Sequence, residues 1–162
     1  GGGPLSNANV LRAAIEADLR RAAERNADAQ LRSALVNELV QANAVPAPES
    51  LVHRWLHAYA EMYGIPHDQL PQFEQQFHEI AEAQVRRDLV LDAVIEREGL
   101  QATEAELDQR IAQLAEARKV NAGEVYGQLQ KAGRLGELER QISEEKAFAW
   151  LLGQSNVVEA TS

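Results

Sequence analysis

The chain contains no cysteine among its 162 residues, which excludes disulfide frameworks, thiolate nucleophiles and cysteine-ligated metals. Positive charge is in deficit, with 16 Lys+Arg against 25 Asp+Glu and a formal net charge of -9. That balance argues against a nucleic acid or an anionic membrane surface held by bulk electrostatics, since both need a positive docking face. No apolar run approaches the roughly 20 residues of a membrane-crossing helix. No four to eight consecutive residues alternate apolar and polar as a half-buried strand does. Aromatics are scarce at 5%, whereas Ala, Leu, Glu, Gln and Arg dominate. That is the composition of helices. A hydrophobic fraction of 45% beside a charged fraction of 25% belongs to a folded chain.

The few helix breakers punctuate the sequence. Gly1-Gly2-Gly3-Pro4 reads as a linker or cloning remnant, and residues 1–8 are set aside from the helical domain, which spans 9–153. From 9 to 43 nothing interrupts a helix, with Leu11, Ile15 and Leu19 on one stripe and Leu31, Leu35 and Leu39 on another. Between them, 22–29 carries no large apolar side chain. A continuous helix of about 34 residues spans roughly 50 Å, longer than the roughly 40 Å diameter of a compact domain of this size. Unless this helix breaks at 22–29, the expectation is an elongated all-α fold with helical arms.

Val45-Pro46-Ala47-Pro48 is extended, because each proline biases its predecessor away from helix. A second helix follows to about Tyr63, stopped by Gly64-Ile65-Pro66, and a third ends before Gly99. Thr103 with Glu106 forms a capping box for a fourth helix over 104–118. Asn121 with Glu124 repeats that pattern for a short fifth helix ending before Gly133. A sixth helix covers 135–152, and 154–162 is read as a tail. Leu89 to Leu91 with Val94 and Ile95 form the most hydrophobic stretch and read as core, with Leu107, Ile111 and Leu114 as its partners.

Catalytic patterns do not assemble. His53 and His57 share a helix face with Glu61 one turn further on, a spacing that zinc-binding helices use. The intervening residues lack the glutamate of HExxH, and histidine pairs on such helices are mostly surface residues, so no metal is assigned. Ser50 near His53 falls in the first turn of a helix, without the strand-to-helix turn that presents a nucleophile. Glu104/Glu106 and Glu144/Glu145 read as caps and solvated faces, and Arg86-Arg87 as a solvated pair near acidic neighbours rather than an anion site. Gly123, Gly127, Gly133 and Gly136 are spread over helix ends and form no phosphate loop. The chain is read as not an enzyme, and no cofactor is implied.

The aromatic residues are more informative. Trp55, Tyr59 and Tyr63 recur every four residues on the second helix, and Phe73 and Phe77 do so on the third. Such stripes serve either as core or as an apolar surface with polar tips, suited to loose contact with extended hydrophobic peptide.

The segment from Arg12-Ala-Ala-Ile-Glu-Ala-Asp-Leu to Arg25 and the segment Val45-Pro-Ala-Pro-Glu-Ser-Leu-Val resemble the C-terminal domain of bacterial trigger factor. So do Val85-Arg-Arg-Asp-Leu-Val-Leu and the stretch running from Glu124-Val-Tyr through Gly133-Arg-Leu and Ser143-Glu-Glu-Lys-Ala to Val157-Val-Glu. The likeness extends over nearly the whole chain from Val10. It implies a cytoplasmic, ATP-independent, ribosome-associated chaperone that shields nascent or unfolded polypeptides in a helical cradle. It also implies a fragment, lacking the ribosome-docking domain and the FKBP-like prolyl isomerase domain of such proteins. Contact with the ribosome, and peptidyl-prolyl isomerase activity, would then lie in those missing parts.

By position, Val125, Tyr126, Leu129, Leu135, Leu138 and Phe148 match the family's second-arm patch, with Gly127 and Gly136 loosening it. Trp55, Tyr59 and Phe77 join the candidate client-binding set from the residues alone. Nucleic acid and membrane are not expected partners, and weak self-association stays open. The alternatives are a structural helical oligomerisation module and the helical chaperone module of a secreted prolyl isomerase of the SurA type.

Overall fold

The computed structural model describes residues 4–161, with side chains from 7 to 154. Six helices follow one another: α1 (Pro4–Asn43), α2 (Glu49–Met62), α3 (Leu70–Glu98), α4 (Glu104–Arg118), α5 (Ala122–Lys131) and α6 (Leu135–Thr161). No strand occurs among the described residues, so the all-α class read from composition holds. Two compact units divide the chain, one reaching Leu39 and one beginning at Val40.

The first unit is helical throughout its described length and continuous across 22–29. Every described side chain up to residue 34 is exposed, including Leu11, Ile15 and Leu19. α1 begins at Pro4, earlier than the predicted 9, because proline fits a first helical position where its missing N–H has no intrahelical partner. Gly1 to Gly3 lie outside the described residues.

In the second unit the predicted punctuation recurs at atomic scale. Thr103 Oγ1 accepts from the Glu106 N–H at 3.1 Å, and Glu106 Oε1 accepts from the Thr103 N–H at 3.1 Å. Asn121 Oδ1 accepts from the Glu124 N–H at 2.8 Å. Gly64 and Gly99 both take left-handed backbone at φ 63, as the ends of α2 and α3 require. Lys119 does the same at φ 58 without glycine's freedom. α6 does not stop at 152 but runs to Thr161. Gly153 stays inside that helix, where no proline follows to end it.

Apolar clusters organise this unit, two of which lie wholly among the described residues. In one, Val52 and Leu56 of α2 pack on Ala81 and Val85 of α3. In the other, Leu107, Ile111 and Ala115 of α4 close over Val125 of α5 and Leu138 and Ile142 of α6. Val90, Leu91 and Ile95 are buried as expected, but Leu107 and Ile111 pack with α5 and α6 rather than with that stretch. α3 instead packs on α6, where the Arg87 guanidinium sits 5.8 Å above the Phe148 ring.

Polar ties reinforce these seams. Ser143, the one buried polar residue described, accepts from the Ala102 N–H and donates to the Glu139 carbonyl, both at 2.9 Å. Lys146 Nζ lies 2.8 Å from Glu106 Oε1, and together with the Thr103 cap it holds the Glu106 carboxyl below its ordinary value. Arg86 donates from Nε to the Val45 carbonyl at 3.1 Å, and Arg87 pairs with Asp88 and Glu144. Both arginines thus lie beside acidic neighbours as the sequence suggests, but they are only partly solvated and tie α3 to the residues around it. Glu145 likewise takes a two-bond grip from Arg110, so α4 and α6 are joined by charge as well as by packing.

Candidate functional site

α2 carries two adjacent apolar faces. Val52, Leu56 and Ala60 are buried, whereas Trp55 and Tyr59, three positions on from Val52 and Leu56, are only half covered. Two helices share a single seam, and side chains just off it have one neighbour where a third helix would supply another. The chain then turns back at Gly64, the Ile65 N–H bonding the Ala60 carbonyl at 2.9 Å, and a short 3-10 turn (His67–Gln69) leads into α3. On α3, Phe73, Phe77, Ile80 and Gln84 recur at three- and four-residue steps facing that aromatic row.

The result is a groove of about 880 Å³ lined by Trp55, Tyr59, Tyr63, Ile65, Gln69, Gln72, Phe73, Gln76, Phe77, Ile80 and Gln84. Trp55 and Tyr59 stack at 4.0 Å between ring centroids with planes 20° apart, and Phe73 and Phe77 lie 4.9 Å apart at 40°. A stacked pair of this kind is worth about 0.5–1.5 kcal/mol beyond its buried area, so the rings hold one another in place. Tyr63 remains 69% exposed and Ile80 55%, which leaves the groove open along its length. Among the described residues, five aromatic rings and two isoleucines form the apolar lining, four glutamines the polar part, and no lysine, arginine, aspartate or glutamate is among them. Such a lining can bury flat or branched apolar side chains and offer amide donors and acceptors to a peptide backbone.

Trp55, Tyr59 and Phe77 are thus brought together as one surface. The second-arm set is not. Val125, Leu138 and Phe148 are buried, at 0%, 8% and 3% exposure, the first two within the cluster of α4, α5 and α6 and Phe148 on α6 beneath the Arg87 guanidinium of α3. Leu129 and Leu135 are half-buried against the same cluster, and Tyr126 is exposed at 41%. Gly127 and Gly136 both lie inside helices, with open space where a side chain would stand. Tyr63 and Phe73 belong to the groove although only their stripes, not their roles, stood out in the sequence. The glutamines carried no signal by themselves; their spacing along α3 acquires meaning only opposite the aromatic row of α2.

On the other edge of the same two helices lies a polar cluster. Glu74 Oε1 stands 3.8 Å from His53 Nδ1 and 3.6 Å from His57 Nε2. The carboxylate beside the histidine pair therefore comes from α3, rather than from Glu61 of α2. Further along, His78 lies between Glu49 at 3.5 Å and Glu82 at 3.3 Å.

Comparison with known proteins fits this architecture. The family model described as the bacterial trigger factor protein (TF) C-terminus matches residues 8–153. Similar proteins include the trigger factor of Nocardia farcinica, 28% identical over 90% of this chain and 36% of that protein. The trigger factor of Geobacter sp. (strain M21) is 31% identical over 82% of this chain and 33% of its own length. The chain thus spans about a third of the length of the curated relatives it matches. No solved structure matches. With a six-helix architecture in hand and the family model covering all but the ends, the chain belongs to the trigger factor C-terminus family.

Proposed function

We propose that this domain is an ATP-independent chaperone module that holds unfolded or nascent polypeptide, and that the groove between α2 and α3 is a principal contact surface. The observation that carries the reading is the lining itself: aromatic and branched apolar side chains with glutamines and without a charged group. An unfolded client presents scattered apolar side chains on a backbone whose amides seek partners, and both find a counterpart here. Each buried client side chain contributes at most about 1.5–3 kcal/mol, less where burial is partial, so single contacts are weak and release is fast. Retention then depends on several contacts along one client. The exposed Leu11, Ile15 and Leu19 of α1 offer a further apolar stripe of the same kind.

A backbone NMR titration with an unfolded, aromatic-rich peptide tests the reading. Shifts should gather on Trp55, Tyr59, Tyr63, Phe77 and Ile80, with little change at Val125 or Leu138. An unresponsive spectrum at millimolar peptide, or shifts confined to α4–α6, overturns it. Sedimentation in parallel separates the structural alternative, in which a tight dimer indifferent to peptide covers the groove.

A further inference from the structure

We propose that His53, His57 and Glu74 form a binding site for a divalent transition-metal ion of the zinc class, clamping α2 to α3. The site is independent of the peptide-binding reading, since it lies on the opposite edge of the helix pair from the groove. α2 presents Glu49, His53 and His57 at four-residue steps, so all three share one face. α3 presents Glu74 toward the two imidazoles from the facing helix. The three ligand atoms lie within 4.8 Å of one another.

Distance and chemistry agree. Tetrahedral zinc with bonds of about 2.0–2.1 Å sets its ligand atoms roughly 3.3 Å apart. The observed 3.8 Å and 3.6 Å from Glu74 Oε1 to the two imidazoles therefore need to close by only a few tenths of an ångström. Those separations are too long for hydrogen bonds, so no direct bond between carboxylate and imidazole competes for the space. Both histidine side chains are 59% exposed, which leaves an open approach for the ion and a position for water. Two imidazoles with one carboxylate favour zinc-like ions over magnesium or calcium, which prefer all-oxygen sets.

The neighbouring Glu49–His78–Glu82 trio is a weaker candidate. It offers a single imidazole beside two carboxylates, a harder donor set than two imidazoles with one carboxylate, and both of its ring nitrogens already face a carboxylate, Nε2 toward Glu49 and Nδ1 toward Glu82. The chain has four histidines and no cysteine, so few other soft ligands can obscure a measurement.

Calorimetric titration of the whole untagged chain with zinc chloride is the test, with thermal melts alongside. One ion per chain should bind at micromolar concentration or below and raise the melting temperature. His57→Gln and Glu74→Gln should each weaken binding by at least about a hundredfold, since even outer-shell partners of a metal are worth ten- to a hundredfold. His78→Gln should leave affinity within about twofold, because His78 supplies no ligand in this arrangement. All three positions are at least partly exposed, and far-UV circular dichroism verifies that each variant is folded. The proposal is overturned by absence of binding at millimolar zinc. It is equally overturned by binding that survives His57→Gln and Glu74→Gln, or that is lost in His78→Gln, or that magnesium matches.

Discussion

The α2–α3 pair and the α4–α6 bundle use the same device, apolar side chains at three- and four-residue steps, and arrive at opposite surfaces. In the bundle three helices meet, so Val125 is fully enclosed and Leu138 nearly so. In the pair the α2–α3 seam covers Val52 and Leu56 and leaves the aromatic row beside it half open. Residue type follows the geometry. Aliphatics make up the enclosed cluster shared by α4, α5 and α6, while the half-open positions of the pair hold Trp55, Tyr59, Phe73 and Phe77, rings large enough to cover one another. Helix number, more than hydrophobicity, separates a core from a groove.

The largest test of enclosed against open positions is Phe148→Ala, on α6 beneath Arg87 of α3, set against Tyr63→Ala. Removing the buried ring should cost about 3–5 kcal/mol in urea unfolding, as large-to-small core changes do. Removing the exposed one should cost within about 0.5 kcal/mol. Equal losses would break the distinction drawn here. Next in size, Ser143→Ala strips the Ala102 N–H of its acceptor and should cost about 1–3 kcal/mol by the same measurement. A cost near zero would mean that the turn into α4 is held by the capping box alone.

Lys119→Gly sharpens the comparison from the stabilising side. The left-handed backbone between α4 and α5 disfavours any residue with a Cβ, so glycine should add about 1 kcal/mol, read as a rise in the urea midpoint at unchanged slope. The smallest effect concerns Glu106. Its carboxyl is held below the ordinary value in the folded chain, first by the Lys146 side chain and then by Thr103. Its contribution is therefore present above the unfolded carboxylate value and lost as pH falls through the lower folded one. Melting temperatures across that acid window should decline less steeply in Glu106→Gln than in the parent, and identical slopes would remove the ion pair from the account.

Much of the fold is legible in local chemistry. Thr103 with Glu106, Asn121 with Glu124, the prolines at 46, 48 and 66 and the glycines at 64, 99 and 133 act within one turn of themselves, and they place the limits of α2 to α5 closely. Both ends of the helical chain are less legible. Pro4 is compatible with starting a helix as well as with preceding one, and Gly153 only weakens a helix that nothing else terminates. Site residues divide along the same line. A four-residue stripe reads identically whether one helix or two will cover it, which is why Trp55 and Val125 look alike in sequence and differ in the structure. The approach of Glu74 to His53 and His57 depends on how α2 and α3 slide past each other, and no spacing along the chain encodes that.

α1 carries one further consequence. From residue 7 to 34 every side chain faces water, so no buried contact along that stretch delays its opening. Its backbone hydrogen bonds rest on the helix-forming tendency of an Ala-, Leu-, Arg- and Glu-rich run and on local pairs such as Asp18 with Arg21. Stretches held so lightly open locally far more often than the molecule unfolds as a whole. The amides of residues 7–34 should therefore exchange with solvent on a faster clock than those of the α4–α6 bundle, so that one polypeptide keeps two different times.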